Sequence, residues 1–152
     1  MTSHCEKIQL KRQYFVVMGE PKPQGRPRSC VRGNHASAYE DKKDREDKMN
    51  IRAQIVTQHP TLIGPGQPVA LSLEYYLPRP KVHFDVKGNI KPRFMDAPHV
   101  SRPDCDNLEK KIKDSLSGIV WYDDCQVVRV EHEKAYCLPG EAPHTKIAVI
   151  TW

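Results

Sequence analysis

The chain has 152 residues, enough for one ordinary domain with a real core and no need of disulfide or metal staples. Lys and Arg number 24 against 19 Asp and Glu, a net charge of +5 that favours a polyanionic partner such as nucleic acid. No run of about 18 apolar residues exists, and "MTSHCEKIQLKR" has no apolar secretory core, so neither a membrane helix nor export is expected and the protein reads as soluble and intracellular. Five scattered cysteines, Cys5, Cys30, Cys105, Cys125 and Cys137, fit reduced thiols, and none forms the spacing of a zinc site.

Tyr14 to Met18 is an apolar run that predicts a buried strand. Residues 19–39 follow with Pro and Gly throughout, four basic residues (Lys22, Arg26, Arg28, Arg32) and no acid between Pro21 and Tyr39, which predicts a basic loop. Residues 40–58 lack Gly and Pro, and Met49, Ala53 and Val56 recur at helical spacing beside Ile51 and Ile55. Lys42, Lys43, Arg45 and Lys48 alternate with acids there, as on a solvated helix face.

"VALSLEYYL", residues 69–77, alternates cleanly as a half-buried strand does. The next stretch, 78–103, carries Arg79, Lys81, Lys87, Lys91, Arg93 and Arg102 among five prolines, and predicts a long basic loop, a kind of segment that is usually functional or disordered. A second helix is predicted over 106–117, stopped by Gly118, then strands over 127–136 and 146–152. The expected fold is α+β in a single domain spanning 1–152, a mixed sheet in the order strand, helix, strand, helix, strand, strand.

On the second helix, Leu108, Ile112 and Leu116 form one stripe and Asp106, Lys110 and Asp114 another roughly opposite. Asp106 followed by Glu109 has the spacing of a capping box, so the acids of "RPDCDN" have a purely structural reading as a helix start. Asp123 and Asp124, in the turn after the helix, likewise read as turn residues. A short connection also brings them near Asp104 and Asp106, and converging carboxylates require a cation between them. All-oxygen ligation favours Mg²⁺ or Mn²⁺. Cys105 reads as a small core residue, Trp121 as core, and His132, flanked by Glu131 and Glu133, as a cross-strand partner rather than a base. Tyr75, Tyr76 and Tyr122 join Trp121 as candidates for stacking on unpaired bases.

The block "RPDCDNLEKKIKDSLSGIVWYDDCQVV", residues 102–128, resembles the signature of the RusA-like Holliday junction resolvases, and "GEPKPQGRPRS", residues 19–29, is similar to the opening of phage-type members. The resemblance implies a dimeric, Mg²⁺-dependent endonuclease of the bacterial or phage-infected cytoplasm that resolves four-way DNA junctions by paired nicks. By position it implies catalytic carboxylates at Asp104, Asp106 and Asp124, a catalytic lysine at Lys110, and further motif acids at Asp114 and Asp123, the latter a possible additional metal ligand. Phosphate contacts are expected from Lys22, Arg26, Arg28, Arg32, Arg79, Lys81, Lys91, Arg93 and Arg102. Gln24 stands where a lysine is frequent, and the 79–102 loop is longer than in the shortest members. Two alternatives stay open on sequence: a less selective branched-DNA nuclease and a non-catalytic nucleic-acid binding module.

Overall fold

A computed structural model describes residues 9–152, so Cys5 lies outside the described part. Strands β1 (Lys11–Met18), β4 (Val69–Leu77), β5 (Val127–Tyr136) and β6 (His144–Thr151) make a sheet in the order β1-β6-β4-β5. β4 and β5 run parallel and the other neighbours antiparallel, so the sheet is mixed and the fold is α+β. Helices α1 (Lys42–Thr57) and α2 (Cys105–Leu116) complete it, α2 lying on the crossover that a parallel β4/β5 pair requires.

Alternation decides which sheet face is buried. Phe15 and Val17 of β1, Val69, Leu71, Leu73, Tyr75 and Leu77 of β4, and Ile147 and Val149 of β6 join Ile55, Leu108, Ile112 and Leu116 of the helices in one core. Leu108, Ile112 and Leu116 are the expected stripe of α2. In α1 the buried stripe differs from the sequence reading: Met49 and Val56 are exposed, whereas Asp44 and Ile55 are buried and Ile51 partly so. Charged residues can hold these inward positions because α2 supplies their counter-charges. Lys111 of α2, itself 2% exposed, reaches Asp44 at 2.7 Å and Asp47 at 3.3 Å.

The sequence reading of 19–39 as loop also needs correction. Its second half is a two-stranded hairpin, β2 (Arg28–Arg32) and β3 (His35–Tyr39), closed by a two-residue Gly33–Asn34 turn with Gly33 at φ 62°. That dipeptide is a recognised hairpin signal. The strands have no buried side, so no apolar alternation marks them. The first half is laid across both helices, with Gln24 N donating to Asn107 O at 3.0 Å and Gly25 N to Asp44 Oδ1 at 3.2 Å.

Among the described residues, the outer edge of β1 is paired by side chains instead of a strand. Gln58 donates to Val16 O and accepts from Val16 N, Gln54 does the same with Met18, and Gln13 reaches the backbone of Thr61 in the same two-bond way.

The 78–103 segment is ordered around aromatic rings. His83 stacks on Phe94 at 4.2 Å and meets the edge of Tyr136 at 5.0 Å, with His99 tilted against the same Tyr136. Arg79 fastens it from within, donating to the carbonyls of Cys137, Phe94 and Met95 while lying over Tyr136.

Candidate active site

α2 begins at Cys105, one residue before the predicted start, so Asp104 occupies the N-cap position and Asp106 the first turn. Asp104 makes no side-chain cap bond; its backbone carbonyl accepts from Leu108 N at 3.2 Å. The capping box expected between Asp106 and Glu109 is therefore absent, and both aspartates are exposed. Lys134 of β5 holds the chain just before them, its Nζ donating to Ser101 O at 2.7 Å and Pro103 O at 2.8 Å.

The turn after α2 is built by three side chains. Gly118, at φ 83°, takes the left-handed conformation that ends the helix. Gln126 accepts from Tyr122 N and Asp123 N and donates to Gly64 O and Gln67 O, pinning the turn to the segment before β4. Asp123 caps the short 3₁₀ turn Asp124–Gln126, accepting from Cys125 N at 3.0 Å, and that bond, reinforced by the Cys125 thiol, holds its carboxyl below the usual aspartate value. Trp121 is fully buried, as expected of a core residue, and its indole N–H donates to Asp124 Oδ1 at 3.0 Å. Two neighbouring aspartates thus do different things: Asp123 faces its own backbone, and Asp124 is presented outward by the core.

Asp124 lines an open groove with Asp106, Glu109, Lys110, Lys113 and Asp114. Four carboxylates there face two ammonium groups. Glu109 is engaged by Lys113 at 3.5 Å and His132 Nδ1 at 3.3 Å, and Asp114 by Lys48 at 3.1 Å. Among the described residues Asp106 and Lys110 form no ion pair. Asp104 stands beside this groove in sequence but does not line it. Among the described residues no three His, Cys, Asp or Glu side chains are gathered closely enough to hold an ion as they stand. Asp124 is held by the Trp121 indole. The donor set is nonetheless all oxygen, partly exposed and lightly engaged, which fits a hard divalent cation.

The basic candidates divide. Arg26, Arg32, Lys81 and Arg102 are exposed and form no ion pair among the described residues. Lys22 binds Asp47 at 3.0 Å, Arg28 binds Asp41 at 3.3 Å, Lys91 donates to Val82 O, and Arg93 lies over Phe94. Arg79 is turned inward with its donors engaged, which leaves it a structural role in the loop. Tyr75 and Trp121 are buried and Tyr76 stacks on His144, so of the four aromatics proposed for base stacking Tyr122 is the exposed one. Lys48, expected on a solvated face, instead bridges Glu40 at 2.6 Å and Asp114.

A model of the family described as endodeoxyribonuclease RusA matches residues 18–150. The chain belongs to the RusA family. A relative from Bacillus subtilis (strain 168), the uncharacterized protein YqaN, is 33% identical over 137 residues, covering 89% of this chain and 93% of YqaN. As a RusA-family protein the chain is an endodeoxyribonuclease, a hydrolase of the Holliday-junction-resolving kind, whose substrate class is branched DNA. RusA resolvases generally depend on a divalent metal. No helix among the described residues is long and apolar enough to cross a membrane. Sequence reasoning missed Lys111, Lys48, Lys134 and Gln126, all of which position the groove; the Gln of "WYDDCQ" was visible as a motif letter, but its four bonds to distant backbone were not.

Proposed function

We propose that this protein resolves four-way DNA junctions by paired, Mg²⁺-dependent hydrolysis, acting as a homodimer, with Asp104, Asp106 and Asp124 as metal ligands and Lys110 as a catalytic group. The observation that carries the reading is the shared groove: Asp106 and Lys110 from one helix face and Asp124 from the turn beyond it, the last aimed by a buried tryptophan. A divalent ion held there, Mg²⁺ or Mn²⁺ in its place, supplies Lewis acidity at the scissile phosphate and offsets the repulsion among the acids.

The remaining work falls to the chain. Lys110, exposed and without a counter-ion among the described residues, presents its ammonium where negative charge grows on the phosphate, a contact stronger in the transition state than in the ground state. Asp123 keeps the turn in shape and is left out of the ligand set on this reading. Arg26, Arg32, Lys81 and Arg102 draw the DNA backbone past a groove whose own acids repel it. Paired nicks on a two-fold junction need two such grooves in fixed relation, which a C2 dimer provides.

The test compares cleavage of a synthetic four-way junction, a fork and a linear duplex in Mg²⁺ by wild type and Asp106→Asn, with binding measured in Ca²⁺. Symmetric nicks confined to the junction, lost in a variant that still binds, are the expected result. Equal cutting of forks replaces junction resolution with the wider branched-DNA activity, and binding without any cutting in Mg²⁺ or Mn²⁺ leaves a non-catalytic module.

A further inference from the structure

We propose that the β2–β3 hairpin is a two-stranded ribbon that lies in the major groove of one duplex arm of the DNA, with Arg32, His35 and Tyr39 facing the DNA and Arg28, paired with Asp41, beside them on the same side. The inference rests on the reading of the chain as a protein that binds branched DNA.

The hairpin stands away from the core: nine of its ten strand residues are exposed, and only Cys30 is partly covered. Isolated two-stranded ribbons are marginal in water, so such an element gains little for the fold and is best understood by what it touches. Its register sorts the side chains by chemistry. Directly opposed residues share a face, so Arg28 with Tyr39, Cys30 with Ser37 and Arg32 with His35 make one side. Ser29 with Ala38 and Val31 with Ala36 make the other. One side therefore carries two guanidinium groups, an imidazole and a phenol, and the other only small groups and a valine.

Charge selects the occupant. No acid lies between Pro21 and Tyr39, and the first two beyond are already committed: Glu40 to Lys48 at 2.6 Å, Asp41 to Arg28 at 3.3 Å. The hairpin presents no unengaged carboxylate to a phosphate. Its foot is wired to the groove, since Lys48 bridges Glu40 at the end of β3 to Asp114 on the groove wall at 3.1 Å.

Size agrees as well. The major groove is about 12 Å wide and admits a two-stranded ribbon. Five residues at about 3.3 Å each give roughly 17 Å of ribbon, about half a duplex turn. The small opposite side leaves clearance beneath the sugar-phosphate walls.

The test is binding in Ca²⁺, where cleavage plays no part, over a salt series with four-way junction, linear duplex and single strand. Wild type is compared with Arg32→Ala, Arg28→Ala/Arg32→Ala and Val31→Ala. Removing Arg32 should reduce the magnitude of the slope of log affinity against log salt by about 0.9 for junction and duplex, and removing Arg28 as well, already paired with Asp41, should add less than that. Val31→Ala should leave every slope unchanged, and N7-methylation of guanines in one arm should weaken wild-type binding more than that of Arg32→Ala. Unchanged slopes in folded variants overturn the proposal, as do altered slopes without any N7 interference, which mean backbone contact only. Among the described residues Arg32 has no ion partner, so its variant keeps the test open if loss of the Arg28–Asp41 pair impairs folding. Absence of cleavage in Mg²⁺ would count against the nuclease reading alone.

Discussion

Replacing Lys111 by Met keeps the aliphatic stem and removes one buried charge. The Lys111 side chain is 3% exposed and that of Asp44 is 7% exposed, at 2.7 Å from each other. Breaking a buried pair from one side costs about 3–5 kcal/mol, because the other charge is left in a poor solvent. Asp44 keeps one donor, Gly25 N at 3.2 Å, which does not neutralise it. Asp47 keeps Lys22 at 3.0 Å and is more exposed, so its share is at most about 1 kcal/mol. A domain is held by about 5–15 kcal/mol in all, so Lys111→Met should remain folded but much weakened. With a urea m-value of about 2 kcal/mol/M, the midpoint should fall by roughly 1.5–2.5 M, read by the fluorescence of buried Trp121 and by circular dichroism. Adding Asp44→Asn removes the stranded charge while keeping an acceptor for Gly25, and should recover at least half of the loss. A single variant within about 1 kcal/mol of wild type, or a double variant weaker than the single, would refute the assignment of Lys111 as the buried link between the helices.

Asp104→Ala should abolish junction cleavage yet shift stability by less than about 0.5 kcal/mol, since the carboxylate makes no cap bond; a loss near 1 kcal/mol in thermal unfolding would restore the helix-start reading. Trp121→Phe removes the donor to Asp124 and should lower the cleavage rate about 10- to 100-fold with binding in Ca²⁺ nearly unchanged, and wild-type rates would exclude a positioning role. The 78–103 loop should loosen in acid. Burial, then Arg79 and Lys91, hold His83 below the ordinary imidazole value of 6.5, and burial, then Lys134, does the same for His99. Both rings have a buried Nδ1 without a hydrogen-bond partner among the described residues. The unfolded chain therefore takes up protons first as pH falls, so the loop's stability is full above about pH 6.5 and declines below it through the folded values. Hydrogen exchange of residues 82–97 at pH 7.5 and 5.5, with β4 as internal reference, measures this, and equal protection at both pH values would contradict it.

What the sequence made legible followed from hydrophobic period. β4 showed its alternation, α2 its two stripes, and Gly118 its helix stop, and each stands where expected to within two residues. What stayed hidden depended on partners far along the chain. Lys111 looks like any surface lysine until Asp44, 67 positions earlier, is placed against it. The α1 stripe was misread for the same reason, because a buried aspartate carries no apolar mark. In the 78–103 loop the prolines and charges were plain, but order comes from Tyr136 on a later strand. For the groove, the sequence brought Asp106, Lys110 and Asp124 within reach of one another, while the indole that aims Asp124 and the lack of a cap bond at Asp104 needed side-chain geometry.

The glutamines along β1 bear on how this chain meets other copies of itself. A bare strand edge is a template for another strand, and proteins often blunt it with lysine or proline. Here Gln54 and Gln58 imitate the missing neighbour, each amide giving a bond to a β1 carbonyl and taking one from the N–H of the same residue, as a peptide group does. Runaway stacking of sheets, and the strand exchange that seeds it, is thereby closed off at this margin even in a crowded cell. The safeguard has a chemical weak point: deamidation to glutamate leaves an acceptor only, which would push against the carbonyl it once held and reopen the margin with age.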